Sequence, residues 1–233
     1  MSKVLVIPDT QIPFAHKEAI PFLKLVEKTY RPDRIVHIGD LIDCHGVSFH
    51  DHDPDGMSAG DELKATIKTL KEWYRAFPKV DFIEGNHDMR FYRAAFSMGL
   101  PRAVLKDLHD LLEMPKGWTV QESIEIDGVI YEHGDALKGG LNGSFRSAVD
   151  GNQASTVFGH FHSSAGIRYF ANKRRLMFAM NVGTLMSSHS YAAAYGRKLK
   201  DKMILGCGLV LEGIPTYIPM LLNSKSQWVG KLG

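Results

Sequence analysis

Histidine is the place to start: the chain carries 11 among 233 residues, and several stand beside carboxylates just after short apolar runs. Val4-Leu5-Val6-Ile7 leads into Asp9-Thr10-Gln11, and Ile35-Val36-His37-Ile38 into Gly39-Asp40-Leu41-Ile42-Asp43. Val80–Ile83 ends in Gly85-Asn86-His87-Asp88, and Val129–Glu132 ends in His133-Gly134-Asp135. Thr156-Val157-Phe158 ends in Gly159-His160-Phe161-His162. Carboxylate, amide oxygen and imidazole together suit Mn²⁺, Fe²⁺ or Zn²⁺ better than Ca²⁺ or Mg²⁺, which favour all-oxygen shells. One Asp can bridge two ions ~3.5–4 Å apart, the separation found in two-metal hydrolases. Taken singly, Asp9 is a turn or cap residue, and Asn86 or Asp88 caps a helix. His87 between them has no capping task. Period-two spacing of His160 and His162 along an extended chain places both imidazoles on one side. The recurrence after five apolar runs is what points to metal chemistry.

The elements needed to position these residues are legible in the apolar pattern. The runs at 4–7, 35–38 and 80–83 read as strands buried on both faces. Between them, residues 16–29 and 61–76 carry apolar side chains at helical spacing, and a helical stretch begins near Asp88. That alternation indicates right-handed crossovers and a largely parallel sheet. Ligands of such sheets gather beyond the carboxyl ends of the strands. Residues 118–132 read as a two-strand meander turned at Asp127-Gly128. Further strands are expected at 156–158, 167–170, 176–180, 203–211 and 215–219, with Gly-Ile-Pro at 213–215 turning the last pair. The reading is one α/β domain over residues 1–222, followed by a polar tail, 223–233, expected to fray.

Composition narrows the class. Lys and Arg number 28 against 26 Asp and Glu, a formal charge of +2, and hydrophobic residues make up 44%. These are values of a globular chain, not of one that coats nucleic acid. Two cysteines, Cys44 and Cys207, are too few for a disulfide framework or a thiolate zinc site. No run approaches the ~18 apolar residues of a membrane span, and the N-terminus breaks too early for a signal peptide. A cytoplasmic protein is the expectation.

The series Asp9-x-Gln11, Gly39-Asp40-x-x-Asp43, Gly85-Asn86-His87-Asp88, His133-Gly134 and Gly159-His160-x-His162 resembles the calcineurin-like metallophosphoesterase superfamily. The resemblance implies a two-sheet sandwich of mixed sheets flanked by helices, with a dinuclear site among its loops. It assigns Asp9, Gln11, Asp40 and His162 to one ion, and Asp40, Asn86, His133 and His160 to the other. His87 is implied to act at the phosphate, as an acid or an electrostatic stabiliser, with Asp88 orienting it. In one respect the chain departs from the superfamily, whose first motif is usually Asp-x-His. Gln11 stands at that third position, and an amide oxygen is a weaker donor than imidazole.

The expected activity is metal-dependent phosphodiester hydrolysis by water activated between two divalent cations, Mn²⁺ first and Fe²⁺ or Zn²⁺ as alternatives. Arg90, one helical turn after Asn86, is the candidate for a phosphate oxygen. A basic, aromatic-interleaved stretch, 168–175, and a second at 197–202 suggest nucleic acid or nucleotides as substrate. Alternatives are a phosphomonoesterase, as a small-molecule or protein phosphatase, and a non-catalytic metal-stabilised binding module; the oligomeric state is left open, a homodimer included. A Ser/Thr protein phosphatase is disfavoured because Cys44-His45 follow Asp43 where its signature has Arg-Gly. The His/Asp cluster at 45–55 reads as a polar loop bordering the site. His37 reads as a core histidine.

Overall fold

The computed structural model describes residues 1–49, 55–190 and 202–232. In chain order the first strands are β1 (Lys3–Ile7), β2 (Arg34–His37), β3 (Val80–Ile83) and β4 (Trp118–Gln121). They are followed by β5 (Ser123–Ile126), β6 (Val129–Glu132), β7 (Ser155–Phe158), β8 (Ala165–Ala171), β9 (Leu176–Val182), β10 (Gly206–Leu211) and β11 (Ile214–Pro219). Among the described residues the helices are α1 (Ala19–Tyr30), α2 (Ala59–Ala76), α3 (Arg90–Ser97), α4 (Leu108–Leu111) and α5 (Gly140–Asn152). None is long and apolar enough to cross a membrane.

Two mixed sheets result. The first has the order β11-β10-β1-β2-β3-β4, the second β5-β6-β7-β9-β8. Strands β1 to β4 pair in parallel, as do β6, β7 and β9, and the remaining pairs are antiparallel. β1 shows how the layers form. Val4 and Val6 face the second sheet, where they pack with Val36, Ile38, Tyr131, Val157 and Met180. Leu5 and Ile7 face the other way, into a core with Phe22, Leu23, Leu70, Trp73, Phe82 and Trp118. A strand apolar on both faces is therefore a strand between two layers. The second sheet is covered outside by α5 through Phe145, Ala148 and Val149.

Local chemistry explains some element boundaries. Ser58 caps α2, its hydroxyl accepting from the Asp61 amide at 3.2 Å, which starts that helix two residues before the expected 61. Asp127 and Gly128 both take positive φ, the requirement of the tight two-residue turn between β5 and β6.

Three expectations are corrected. Residues 118–132 form three strands shared between two sheets, not a two-strand meander: β4 closes the first sheet and the β5–β6 hairpin opens the second. The last hairpin turns at Glu212-Gly213, both at positive φ, while Pro215 already pairs with Val210 on the outer strand, where a missing N–H is tolerated. The C-terminal residues fold back on α1 instead of trailing free. Trp228 meets Phe22 edge-on at 5.7 Å, its amide donates to Glu18 Oε2 at 2.8 Å, and His16 Nε2 lies 3.0 Å from the Ser226 carbonyl. Helices α4 and α5 were not anticipated; α5 is rich in glycine and shows only one short apolar stripe, so its helicity comes from packing on the second sheet.

Trp118 tests the helical layer. Its ring is 1% exposed, its Nε1–H donates to the Phe77 carbonyl at 2.8 Å, and Tyr74 meets it edge-on at 5.0 Å. Trp118→Ala should lower stability by about 3–5 kcal/mol, read as a fall in the denaturation midpoint. An unchanged midpoint would mean that α2 does not pack on β4 as described.

Candidate metal centre

Five loops meet where the carboxyl ends of β1, β2 and β3 face those of β6 and β7. The first sheet brings Asp9 and Gln11, Asp40 and Asp43, then Asn86, His87 and Asp88; the second brings His133, His160 and His162. The expected single edge is thus a junction of two sheets. Asp9 and Asp40 are 0% and 1% exposed. Donor atoms of Asp40, His133 and His160 lie within 4.8 Å of one another, and so do those of Asp9, Asp40 and His162. Asp40 is common to both groups.

Contacts tie the remaining candidates in. Asn86 Oδ1 lies 3.0 Å from His133 Nε2 and 2.9 Å from His160 Nδ1. His162 Nε2 lies 3.0 Å from Asp9 Oδ2 and 3.4 Å from Gln11 Nε2. His133 Nδ1 lies 3.1 Å from the Ile38 carbonyl, an arrangement that turns Nε2 toward Asp40, 3.3 Å away. All seven expected ligands are therefore brought together. His160 and His162 do not reach the site by strand alternation, however. They follow the end of β7, with His160 in the left-handed region at φ 65° and His162 in a turn.

Burial and charge compete across this junction. Burial opposes ionisation of Asp40, but His133 and His87 outweigh it and hold the carboxyl well below the usual range. Burial pulls the His133 imidazole down, and Asp40, by charge and hydrogen bond, overrides that and pushes it up to about 10. His162 follows the same pattern, lifted above the ordinary value by Asp9 against burial. His160 goes the other way, lowered by burial and by the neighbouring His133. Asp9 Oδ1 is buried with no hydrogen-bond partner. A buried carboxylate oxygen left bare, beside imidazole and amide donors, is what a divalent cation would complete, so the residues fit one.

The backbone is shaped to permit this crowding. Gln11, Asp40 and His160 all take positive φ, at 45°, 49° and 65°. Such conformations cost of order 1–3 kcal/mol each and cluster at functional sites. A Cβ on Gly159 would lie 2.3 Å from Asp9 Oδ1, and one on Gly85 would lie 2.3 Å from Asp40 Oδ1. Each of these glycines, one position before a candidate ligand, leaves the space through which a carboxylate from another loop passes.

Two expected roles change on geometry. Asp88 makes no hydrogen bond to the His87 side chain. It is fully buried, accepting from the Ile42 and Gly85 amides at 3.0 and 2.8 Å, and it ties the loop after β2 to the loop after β3. The carboxylate that meets His87 is Asp43, with Oδ1 2.8 Å from Nδ1; Asp43 belonged to the quoted motif but not to the expected site. Arg90 is neither solvated nor free, being 9% exposed and bonded to Asp43 and His87. Thr184 and Glu62 were missed as supports. Thr184 Oγ1 donates to the Asp9 carbonyl at 2.8 Å, and buried Glu62 accepts from the His45 and Gly46 amides at 2.8 and 2.7 Å. No motif marks either residue in sequence. His37 is a core histidine, 3.0 Å from Thr10 Oγ1, with burial pulling its imidazole down to about 3. Both cysteines are buried and free. Of the loop cluster at 45–55, residues 50–54 lie outside the described residues, as do 197–201 of the second basic stretch.

A cleft of about 520 Å³ opens beside Asn86 and His133. Its walls carry Glu84, Glu122, Glu132 and Asp135 but a single guanidinium, Arg93. Most of the basic stretch 168–175 lies away from this cleft, Arg168 alone pairing near the site end, with Ala179. It forms the end of β8 and the hairpin into β9, and Phe158 pairs with Asn181 at the site end of that strand. Leu176, where the hairpin enters β9, is five residues back, roughly 16 Å at strand rise. Arg168 is bonded to Asn142, and Arg175 to the Gln153 carbonyl.

Asp40→Asn should reduce metal content at both positions, because an amide offers one good donor oxygen where a carboxylate offers two; two ions per chain in the purified variant would remove Asp40 as the shared ligand. Gly159→Ala should weaken metal binding by displacing Asp9, with calorimetry on Mn²⁺ as the measurement. Unchanged affinity there would mean that Asp9 is not a ligand.

No curated protein sequence matches this chain. Solved structures similar to it include the phosphoesterase YfcE from E. coli, at 13% identity over 97% of this chain and 96% of that one, with TM-score 0.46. Vacuolar protein sorting 29 from Cryptosporidium parvum is similar at 14% identity over 92% and 94%, with TM-score 0.45. The nuclease MPE from Pseudomonas putida is similar at 10% identity over 92% and 85%, with TM-score 0.39. The calcineurin-like phosphoesterase family model matches residues 2–191, a span that holds all five ligand-bearing loops. On that match, the chain belongs to the calcineurin-like phosphoesterase family, and its clustered carboxylates and imidazoles are the candidate metal site of a phosphoesterase.

Proposed function

We propose that this protein hydrolyses small phosphodiesters, nucleotides among them, with two divalent cations, Mn²⁺ by preference. Asp9, Gln11, Asp40 and His162 would hold one, and Asp40, Asn86, His133 and His160 the other. The observation that carries the reading is Asp40, buried and shared between two groups of donor atoms. Bound there, such ions supply Lewis acidity toward phosphoryl oxygens and a nucleophilic water at neutral pH.

The chain's own residues supply the rest. His87 stands 3.8 Å from Asp40 Oδ2 through Nε2 and is half-buried, which supports a role at the reacting phosphate. There it would stabilise charge or, once Arg90 Nη2 releases Nε2 and that nitrogen carries a proton, protonate the leaving oxygen, worth ~10²–10⁴-fold. Asp43 holds its other nitrogen. Charge supports the diester. The cleft beside the site has four carboxylates against one guanidinium, so it repels a dianionic monoester or a nucleic-acid backbone more than a singly charged diester. The tip of the basic hairpin, Lys173 to Arg175, lies toward the far end of its sheet and so offers a polymer no track at the site.

A substrate panel tests this. With Mn²⁺, kcat/KM for an aryl phosphodiester should exceed that for the matching monoester by about tenfold or more, and for single- or double-stranded DNA turnover should be slow. Chelation should abolish activity, with Mn²⁺ restoring it better than Mg²⁺. Preference for the monoester would sink the diester assignment. Tight Mn²⁺ binding without turnover of any phosphoester would leave a metal-stabilised binding module.

A further inference from the structure

Arg90 is held more tightly than a residue that merely waits for substrate. It opens α3, its amide donating to the His87 carbonyl at 3.0 Å. Nη1 donates to the Asp43 carbonyl at 2.9 Å and to Asp43 Oδ1 at 3.1 Å. Nη2 lies 2.9 Å from His87 Nε2, while Asp43 Oδ1 lies 2.8 Å from His87 Nδ1. A guanidinium has donors and no acceptor, so Nη2 donates to Nε2, which leaves Nδ1–H to donate to Asp43. The three side chains close a ring in which the imidazole is gripped at both nitrogens. They come from the loop after β2, the loop after β3 and the first turn of α3, so the ring also joins three elements.

We propose that Arg90 is a positioning residue that acts through His87, setting the plane and tautomer of its imidazole beside the candidate metal pair instead of binding substrate itself. The kinetic part of this inference rests on the phosphoesterase reading; the spectroscopic part does not. Only a planar fork spans Asp43 and His87 together. Lysine, a single point donor, keeps the charge that buried Asp43 needs but cannot grip both.

The test pairs imidazole NMR with a double-mutant cycle. In metal-free protein, R90K should move the His87 ring nitrogen signals and leave those of His133 in place. With Mn²⁺ and an aryl diester, R90K should lower kcat by about tenfold or more, with KM changed less than about threefold. H87A should lower kcat by ~10²-fold, and H87A/R90K should be no worse than H87A within about twofold, since Arg90 then has nothing to position. R90M, which keeps an apolar stem without donors, should repeat the R90K pattern. Unmoved His87 signals, a tenfold rise in KM or losses that multiply in the double variant would each overturn the inference. Wild-type protein inert toward every phosphoester would remove the phosphoesterase reading, and the His87 signals would still decide the role of Arg90.

Discussion

Two carboxylates buried at the junction of two sheets set the terms for everything around them. Asp9 and Asp40 sit where water is excluded, and an ionised group there costs several kcal/mol unless opposite charge and hydrogen bonds replace its hydration. The chain provides both. His133 and His162 lie beside them, and the His160 and His87 amides donate to Asp9 Oδ2 and Asp40 Oδ1 at 3.0 and 2.7 Å. One oxygen of Asp9 is still without a partner. A pair of divalent cations satisfies that remainder better than protons shared with imidazole, so the site is electrostatically poised for metal before any argument about catalysis.

The surrounding fold follows from that requirement. Ligands can approach closely only if their loops interpenetrate, which explains the glycines at 85 and 159 and the left-handed residues among the ligands themselves. Such backbone strain persists only on a rigid base. The base is two sheets packed through Val4, Val6, Val36, Ile38 and Val157, with helices sealing the outer faces. Buried side chains behind the site hold its loops in turn: Asp88 joins two of them, Glu62 pins the turn at 45–47 to α2, and Thr184 fixes the carbonyl of Asp9.

Under the proposed function, charge outside the centre would sort substrates. The metal pair would draw any phosphoester, but the adjoining cleft is acidic, and Lys173, Arg174 and Arg175 lie on a hairpin tip away from it. A charge pattern read along a chain says nothing about which end of a sheet it occupies. For nucleic acid the consequence is direct: phosphate contacts help only where the polymer must pass.

Much of this was legible before the structure. β1, β2, β3 and the helices between them follow from apolar runs and helical spacing, because burial on a sheet or helix face is imposed residue by residue. Six of the candidate ligands follow from polar residues placed just after such runs, since a strand's end fixes where the next side chains emerge, and Gln11 from the family resemblance. Tertiary structure alone decided the rest. It split residues 118–132 between two sheets and made a helix of glycine-rich 140–152, because packing partners distant in sequence outweigh weak local preference. It exchanged Asp88 for Asp43 at the imidazole and drew Arg90 inward. Neighbours in a motif share a loop, but which side chain touches which depends on how that loop lies across another. Hydrogen bonds with a reach of about 3 Å register that placement, and spacing along the chain does not.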